Sequence, residues 1–126
     1  MTTDTTTERP TSTDPASVVT RYFDAWRAKE FDEYQSLLAG EVRFTGPLGR
    51  ADGAESCRQG IEQLSKITTA VDIQKMAVDG ADVLTWFDLH TSVAEPCPVV
   101  NWSHVENGKI TRIRVTFDPR PLLATT

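Results

Sequence analysis

The sequence predicts an α+β fold: a curved antiparallel sheet forming a cone, with three helices packed on its concave face. Three observations predict it. Apolar residues recur at three- and four-residue steps early in the chain. Later runs alternate with period two. Two tight hairpin signals, Asp79-Gly80 and Asn107-Gly108, join those runs. Helices followed by a run of strands is the order expected when helices cover one face of an antiparallel sheet.

The elements follow in order. Met1–Asp14 contains seven threonines and almost nothing apolar, so it cannot offset its ordering entropy. It is expected to be a disordered tail, with the folded domain at 15–126. Asp14 suits an N-cap and Pro15 the first helical position. Val18, Val19, Tyr22, Phe23 and Trp26 form the apolar stripe of a first helix ending near Ala28–Lys29. A second, Phe31 to Leu38, carries Phe31, Tyr34, Leu37 and Leu38 inward and has Gly40 as its stop. Val42 to Thr45 is a short strand, and Gly46-Pro47-Leu48-Gly49 a turn continuing as loop to Gly53. A third helix, about Ala54 to Lys66, turns Cys57, Ile61 and Leu64 inward, and Gly60 inside it costs roughly 1 kcal/mol relative to alanine. Strands are expected over 69–78 (Val71, Ile73 and Lys75 on one side), 83–91, 99–106 and 110–117, the last ended by Asp118-Pro119 and Pro121.

Composition narrows the function. The 126 residues allow one domain, and 39% apolar with 25% charged content fits an ordinary globule. A net charge of −5 without a basic run argues against nucleic acid. No apolar run approaches the ~20 residues of a membrane span, and the N-terminus lacks the parts of a signal peptide, so the expected compartment is the cytosol. Cys57 and Cys97 are too few for a disulfide framework and lack metal-ligand spacing. Neither a metal nor a cofactor is expected: His90 and His104 fall on opposite faces of different strands, and Gly46–Gly53 lacks the lysine of a phosphate loop.

The stretch Val83–Thr91 holds the strongest chemical signal. Alternation puts Leu84, Trp86, Asp88 and His90 on one face and Val83, Thr85, Phe87 and Leu89 on the other. If the first face lines an enclosed pocket, Asp88 is a carboxylate in a poorly solvated wall, which is how proteins tune acids and bases. If it faces outward, the strand is half-exposed, with Asp88 and His90 in water.

Arg21-Tyr22-Phe23, Phe44-Thr45-Gly46-Pro47-Leu48-Gly49, His104-Val105-Glu106-Asn107-Gly108-Lys109-Ile110 and Arg114-Val115-Thr116-Phe117-Asp118 carry a resemblance. Over about Pro15 to Leu123 the chain resembles the nuclear-transport-factor-2-like superfamily, in particular its SnoaL-like branch. That superfamily includes ketosteroid isomerases, limonene-type epoxide hydrolases, polyketide cyclases and non-enzymatic binding domains, and fold does not choose among them. Tyr22 matches the isomerases' oxyanion donor on helix one. Asn101 stands, with a one-residue gap, for their second donor. Gly46 stands where their general base would be. Asp88 matches one aspartate of the epoxide hydrolases, but Trp86 and Val115 replace their arginine and second aspartate. A single pocket aspartate is the pattern of SnoaL-type cyclases.

The resemblance implies a concave pocket lined by Trp86, Asp88, His90, Asn101, Ser103, Ile113, Val115 and Phe117, with Tyr22 and Trp26 above. The expected function is cofactor-independent acid/base chemistry, whether isomerisation, cyclisation or epoxide hydrolysis, on a small apolar molecule. Asp88 would be the acid/base, Tyr22 and Asn101 the donors, His90 an assistant, and Trp26, Trp86, Ser103, Ile113, Val115 and Phe117 the substrate-binding wall. The alternatives weigh beside it: Tyr22 and Asn101 as satisfied core groups, the tryptophans as packing, His90 as a solvated strand end. The protein would then be a ligand-binding or dimerisation module of the same fold. The resemblance also implies a homodimer through the convex sheet face, with Trp102, Arg112 and Arg114 at the contact.

Overall fold

The computed structural model describes residues 13–123. The expected tail therefore lies outside the described residues, apart from its last two positions. The helices are α1 (Pro15–Ala28), α2 (Phe31–Ser36), α3 (Ala54–Ser65) and the short α4 (Arg120–Leu123). The strands are β1 (Leu38–Gly46), β2 (Gly49–Asp52), β3 (Thr68–Asp79), β4 (Asp82–Thr91), β5 (Cys97–Glu106) and β6 (Lys109–Thr116).

One sheet runs in the order β2-β1-β6-β5-β4-β3. Neighbours are antiparallel except β1 and β6, which run parallel. A parallel pair needs a long crossover, and the chain between these two strands includes α3 and four further strands. Register shifts interrupt β1–β6, β3–β4 and β5–β6. Such irregularities bend strands and increase twist, which gives the sheet the curvature of a cone. At the β5–β6 hairpin, Asn107 and Gly108 both take positive φ, 53° and 77°, as a two-residue turn matching strand twist requires.

α1 starts and stops where capping chemistry dictates. The Asp14 carboxylate accepts from the Ser17 backbone N–H at 3.3 Å, and Lys29 closes the helix in the left-handed conformation. The stripe Val18, Val19, Tyr22, Phe23 and Trp26 is buried against the concave side of the sheet. Each such side chain contributes about 1.5–3 kcal/mol by leaving water. Arg27 Nε donates to Val71 O at 3.1 Å and ties the helix to β3.

Four local expectations are corrected. α2 ends at Ser36, and β1 begins at Leu38, so Gly40 lies within a strand instead of stopping a helix. Ile110 N donates to Leu37 O, so sheet pairing at that point outweighs continued helix. Residues 49–52 are the edge strand β2, not loop, since Pro47-Leu48 makes a two-residue turn and Gly49 pairs with Gly46. On β3 the register shift between Ile73 and Lys75 reverses parity. Met76, not Lys75, then joins Ile73 against the core, and Lys75 lies opposite Trp86 on the outer face.

Candidate functional site

The concave face and the helices above it enclose a cavity of about 270 Å³. That is just below the range of ~300–1,000 Å³ usual for drug-sized ligands. Its walls are almost wholly apolar: Phe44, Phe87, Val115 and Phe117 from the sheet, Trp26 from α1, Ile61 and Leu64 from α3. Aromatic rings order the wall. Phe87 stands edge-on to Trp26 at 5.7 Å and to Phe23 at 5.3 Å. A Cβ at Gly46 would come within 3.3 Å of the Phe44 ring, so glycine there lets the β1 backbone approach that ring.

The polar end of the cavity is a chain of hydrogen bonds. Ser103 Oγ donates to Asn101 Oδ1 at 2.7 Å. That leaves the Asn101 amide N–H to Tyr22, whose phenol it stabilises in the ionised form. Tyr34 Oη donates to Tyr22 Oη at 3.2 Å, with the two rings 4.8 Å apart. The Tyr22 oxygen accepts from Tyr34, with the Asn101 amide acting on it from the other side, and its own proton is left to donate. Burial pushes the Tyr22 phenol up to about 12, with the Tyr34 and Asn101 hydrogen bonds opposing that rise. Burial, then the adjacent Tyr22, hold Tyr34 well above the ordinary phenol range. Both are neutral donors near pH 7, not bases. The Cys57 thiol in the same wall is pushed up to about 11 by burial and then by Asp52, so it is a thiol and not a nucleophilic thiolate.

Two further polar atoms bear on the site. Trp26 lines the cavity and is 4% exposed, and its indole N–H has no partner among the described residues. Thr85 is wholly buried beneath the helices, and its hydroxyl also lacks one. An unpaired buried donor costs about 1–3 kcal/mol, so the indole N–H is a place where a ligand oxygen would be welcome.

The expected site residues divide into three groups. Tyr22, Trp26, Asn101, Val115 and Phe117 line the cavity. Ser103 and Ile113 are buried on the same concave face but do not line the cavity; Ser103 is linked to it by its hydrogen bond to Asn101. Trp86, Asp88 and His90 are corrected: they point to the outer, convex face. Thr85 pairs with Asn101 and Phe87 with Val99, so Val83, Thr85, Phe87 and Leu89 are the inward set, each 3% exposed or less. The physical reason is apolar area. Turning Asp88 inward would have put Phe87 and Leu89 in water and a carboxylate under the helices. In its actual position Asp88 accepts a 3.4 Å hydrogen bond from Gln74 Nε2 and lies opposite Asp72. Trp86 is 52% exposed. Tyr34, Cys57 and Arg50 were not singled out from the sequence as site residues. Tyr34 had a signal, its inward position on α2, whereas Arg50 lay on a strand that was not foreseen.

The outer face has its own order. Asp82 accepts from Trp102 Nε1 at 2.9 Å and bonds His104 Nδ1 at 2.8 Å, while His104 Nε2 lies 3.0 Å from Glu106. The Asp82 hydrogen bond raises His104 above the ordinary imidazole value; burial opposes it, and the Glu106 hydrogen bond adds to the rise. Arg114 stacks over Trp102 at 5.4 Å. Among the described residues no group of three or more histidines, cysteines and carboxylates is placed to hold a metal ion, and no helix is long and apolar enough to cross a membrane.

Helices closing a curved sheet over an apolar cavity with a tyrosine on the first helix define a cone-shaped α+β pocket protein. Residues 19–113 match the model of the SnoaL-like domain. The chain belongs to that family, whose fold is the nuclear-transport-factor-2-like one. It is similar to a protein of Kribbella flavida DSM 17836, at 28% identity over 86% of this chain and 89% of that one, with a TM-score of 0.81. It is similar also to an NTF2-like protein of unknown function from Cytophaga hutchinsonii ATCC 33406, at 26% identity over 86% and 94%, TM-score 0.76. An LEH-like epoxide hydrolase of M. tuberculosis shares the fold at 21% identity over 92% and 91%, TM-score 0.74. No curated protein matches the sequence.

Proposed function

We propose that this SnoaL-like domain binds a small apolar molecule carrying a hydrogen-bond-accepting oxygen, a carbonyl or an epoxide. The observation that supports it is the Ser103–Asn101–Tyr22–Tyr34 chain, which ends in a spare phenolic proton at an otherwise apolar cavity. The Trp26 N–H supplies a second donor. Two neutral donors in a dry site polarise an oxygen strongly. Proton abstraction is a different matter. Among the described residues the cavity wall holds no carboxylate and no imidazole, and the aspartate expected to do that work lies on the other side of the sheet. The geometry thus favours ligand binding over the acid/base enzyme.

Calorimetric titration with matched pairs, a cyclic ketone against the hydrocarbon of the same skeleton, tests this reading. The ketone should bind at least about tenfold more tightly, the worth of one hydrogen bond of ~1.4 kcal/mol, and Tyr22→Phe should erase the difference. Equal binding of ketone and hydrocarbon refutes it. Mass spectrometry of the same mixtures detects turnover, and product formation would restore the enzymatic reading.

We propose further that a second copy of this chain covers the β4–β5 part of the convex face, clear of the β1–β2 edge. Leu84, Trp86 and Trp102 are all exposed there on adjacent strands, and an apolar patch of that kind is costly to leave in water. Trp86→Lys should convert a dimer to a monomer in sedimentation, and a wild-type monomer at all concentrations refutes the proposal.

A further inference from the structure

Among the described residues the apolar cavity has one charged residue in its wall, Arg50. That residue also belongs to a groove on the outer side of the sheet edge, lined by Arg43, Thr45, Arg50, Asp52, Arg112 and Arg114. Four arginines stand there against one aspartate, in a chain whose net charge is −5. Strand pairing brings them together: Arg50 lies opposite Thr45, Arg43 opposite Arg112, and Thr45 opposite Arg114. Among the described residues none of the four forms an ion pair. The other well-placed arginines do pair, Arg58 with Asp32 and Glu62, and Arg120 with Asp118. Arg114 is taken up by the Trp102 ring and Arg112 acts on Asp82, which leaves Arg43 and Arg50 with no ion pair or ring contact among the described residues; like charges so gathered favour an anion.

The cavity opens beside this cluster. Leu48 lines it yet is 55% exposed, so the wall reaches solvent at the β1–β2 turn, two residues from Arg50. A ligand whose body fills the cavity would leave by this opening whatever part of it prefers water. Arginine presents a planar fork matched to an oxyanion, and the three arginines behind Arg50 add to the field at the mouth.

Building on the binding reading above, we infer that the ligand is an amphiphilic acid: an apolar, oxygen-bearing body in the cavity and a carboxylate at the rim held by Arg50. The body satisfies the Tyr22 and Trp26 donors and the head satisfies the guanidinium, so the two ends are recognised by separate chemistry. The remaining arginines raise the local concentration of anions and speed their capture, an effect that salt screens beyond about 10 Å at 0.1 M.

The test uses ω-oxo-ω-phenylalkanoic acids with arms of increasing length, each against its own methyl ester, titrated calorimetrically into the full chain at low and high salt. Each pair has the same body and ketone and differs at the head, a carboxylate against a neutral ester one methyl group larger. At the matching arm length the acid should bind at least about tenfold more tightly than the ester at low salt, the usual worth of a hydrogen bond to a charged group. The ratio should shrink as salt rises. Arg50→Gln should bring it close to one, and Arg50→Lys, which keeps a point charge without the fork, should retain part of it. Arg50 is on an exposed edge strand, so these substitutions leave the core untouched. Esters that bind as well as their acids at every arm length overturn the inference while leaving the cavity reading intact. An acid preference that Arg50→Gln does not reduce also overturns it. Binding of neither series overturns both.

Discussion

Raising the pH should unfold this protein through its two tyrosines, and the effect can be worked out from the structure. The chain contains only Tyr22 and Tyr34, and they are 2% and 1% exposed. An ordinary phenol ionises near ~10. Burial disfavours the phenolate, so Tyr22 in the fold is pushed up to about 12 and Tyr34 well above its ordinary value. The sign follows. Below about pH 10 both states keep their phenolic protons and stability is unaffected. Above it the unfolded chain ionises first, and stability falls as pH rises toward the folded values. For Tyr22 alone the two-unit shift is worth about 3 kcal/mol when complete, a large share of the ~5–15 kcal/mol that holds a domain together. Phenolate absorbance and far-UV circular dichroism, followed together up the pH scale, should change in a single coincident transition. Phenolate appearing near its ordinary pH with the circular dichroism intact would refute the reasoning, because it would mean that the phenols are solvated. The pair also predicts non-additivity. Tyr22→Phe strips Tyr34 of its acceptor and should cost about 1–3 kcal/mol, whereas Tyr22→Phe with Tyr34→Phe removes both partners and should cost less than the two single changes together.

Three other outcomes follow from the same geometry. Asp88→Asn should leave ketone binding unchanged and move stability by no more than ~0.5 kcal/mol, since the carboxylate is on the outer face; loss of binding in that variant would restore it to the site. Thr85→Val should raise the urea midpoint at constant slope, by about 1 kcal/mol, because it removes a buried hydroxyl without a partner among the described residues; destabilisation would show that the hydroxyl is satisfied. His104 is raised by Asp82 and then Glu106, so its contribution is complete below the unfolded value of ~6.5 and is lost as pH rises through the folded one. His104→Gln should flatten that part of the stability profile, and an imidazole resonance titrating at the ordinary value would contradict the ion pairs.

How far the site was legible depended on which physical signal each residue carried. Tyr22 and Trp26 could be placed because a helix has one apolar stripe and they lie on it. Val115 and Phe117 could be placed because alternation there gives one markedly more apolar face, whereas Asn101 was placed by the family resemblance. β2 was illegible, since Gly49-Arg50-Ala51-Asp52 is too short and too polar to show a period, and its strand character comes from pairing with β1. The parity change on β3 was hidden for a similar reason: one extra residue in a strand leaves no mark in composition, yet it exchanges Lys75 for Met76 on the inner face.

The inversion of β4 is the instructive case, because alternation defines two faces without saying which is inside. Two constraints in the sequence already decided it. One was area: Val83, Thr85, Phe87 and Leu89 offer far more apolar surface than a face carrying Asp88 and His90, and burial follows the larger transfer free energy. The other was coupling through the hairpins. In an antiparallel pair, residues directly opposite share a face. Once Asn101 is placed inward, its partner Thr85 must be inward too, and Asp88, three residues from Thr85, must be outward. A carboxylate can thus sit on the outer side of a strand whose neighbours' packing fixes which face is inside. The polar machinery of the cavity consists instead of groups that look like core residues, two phenols and an amide, and their capacity to bind comes from how few partners the fold leaves them.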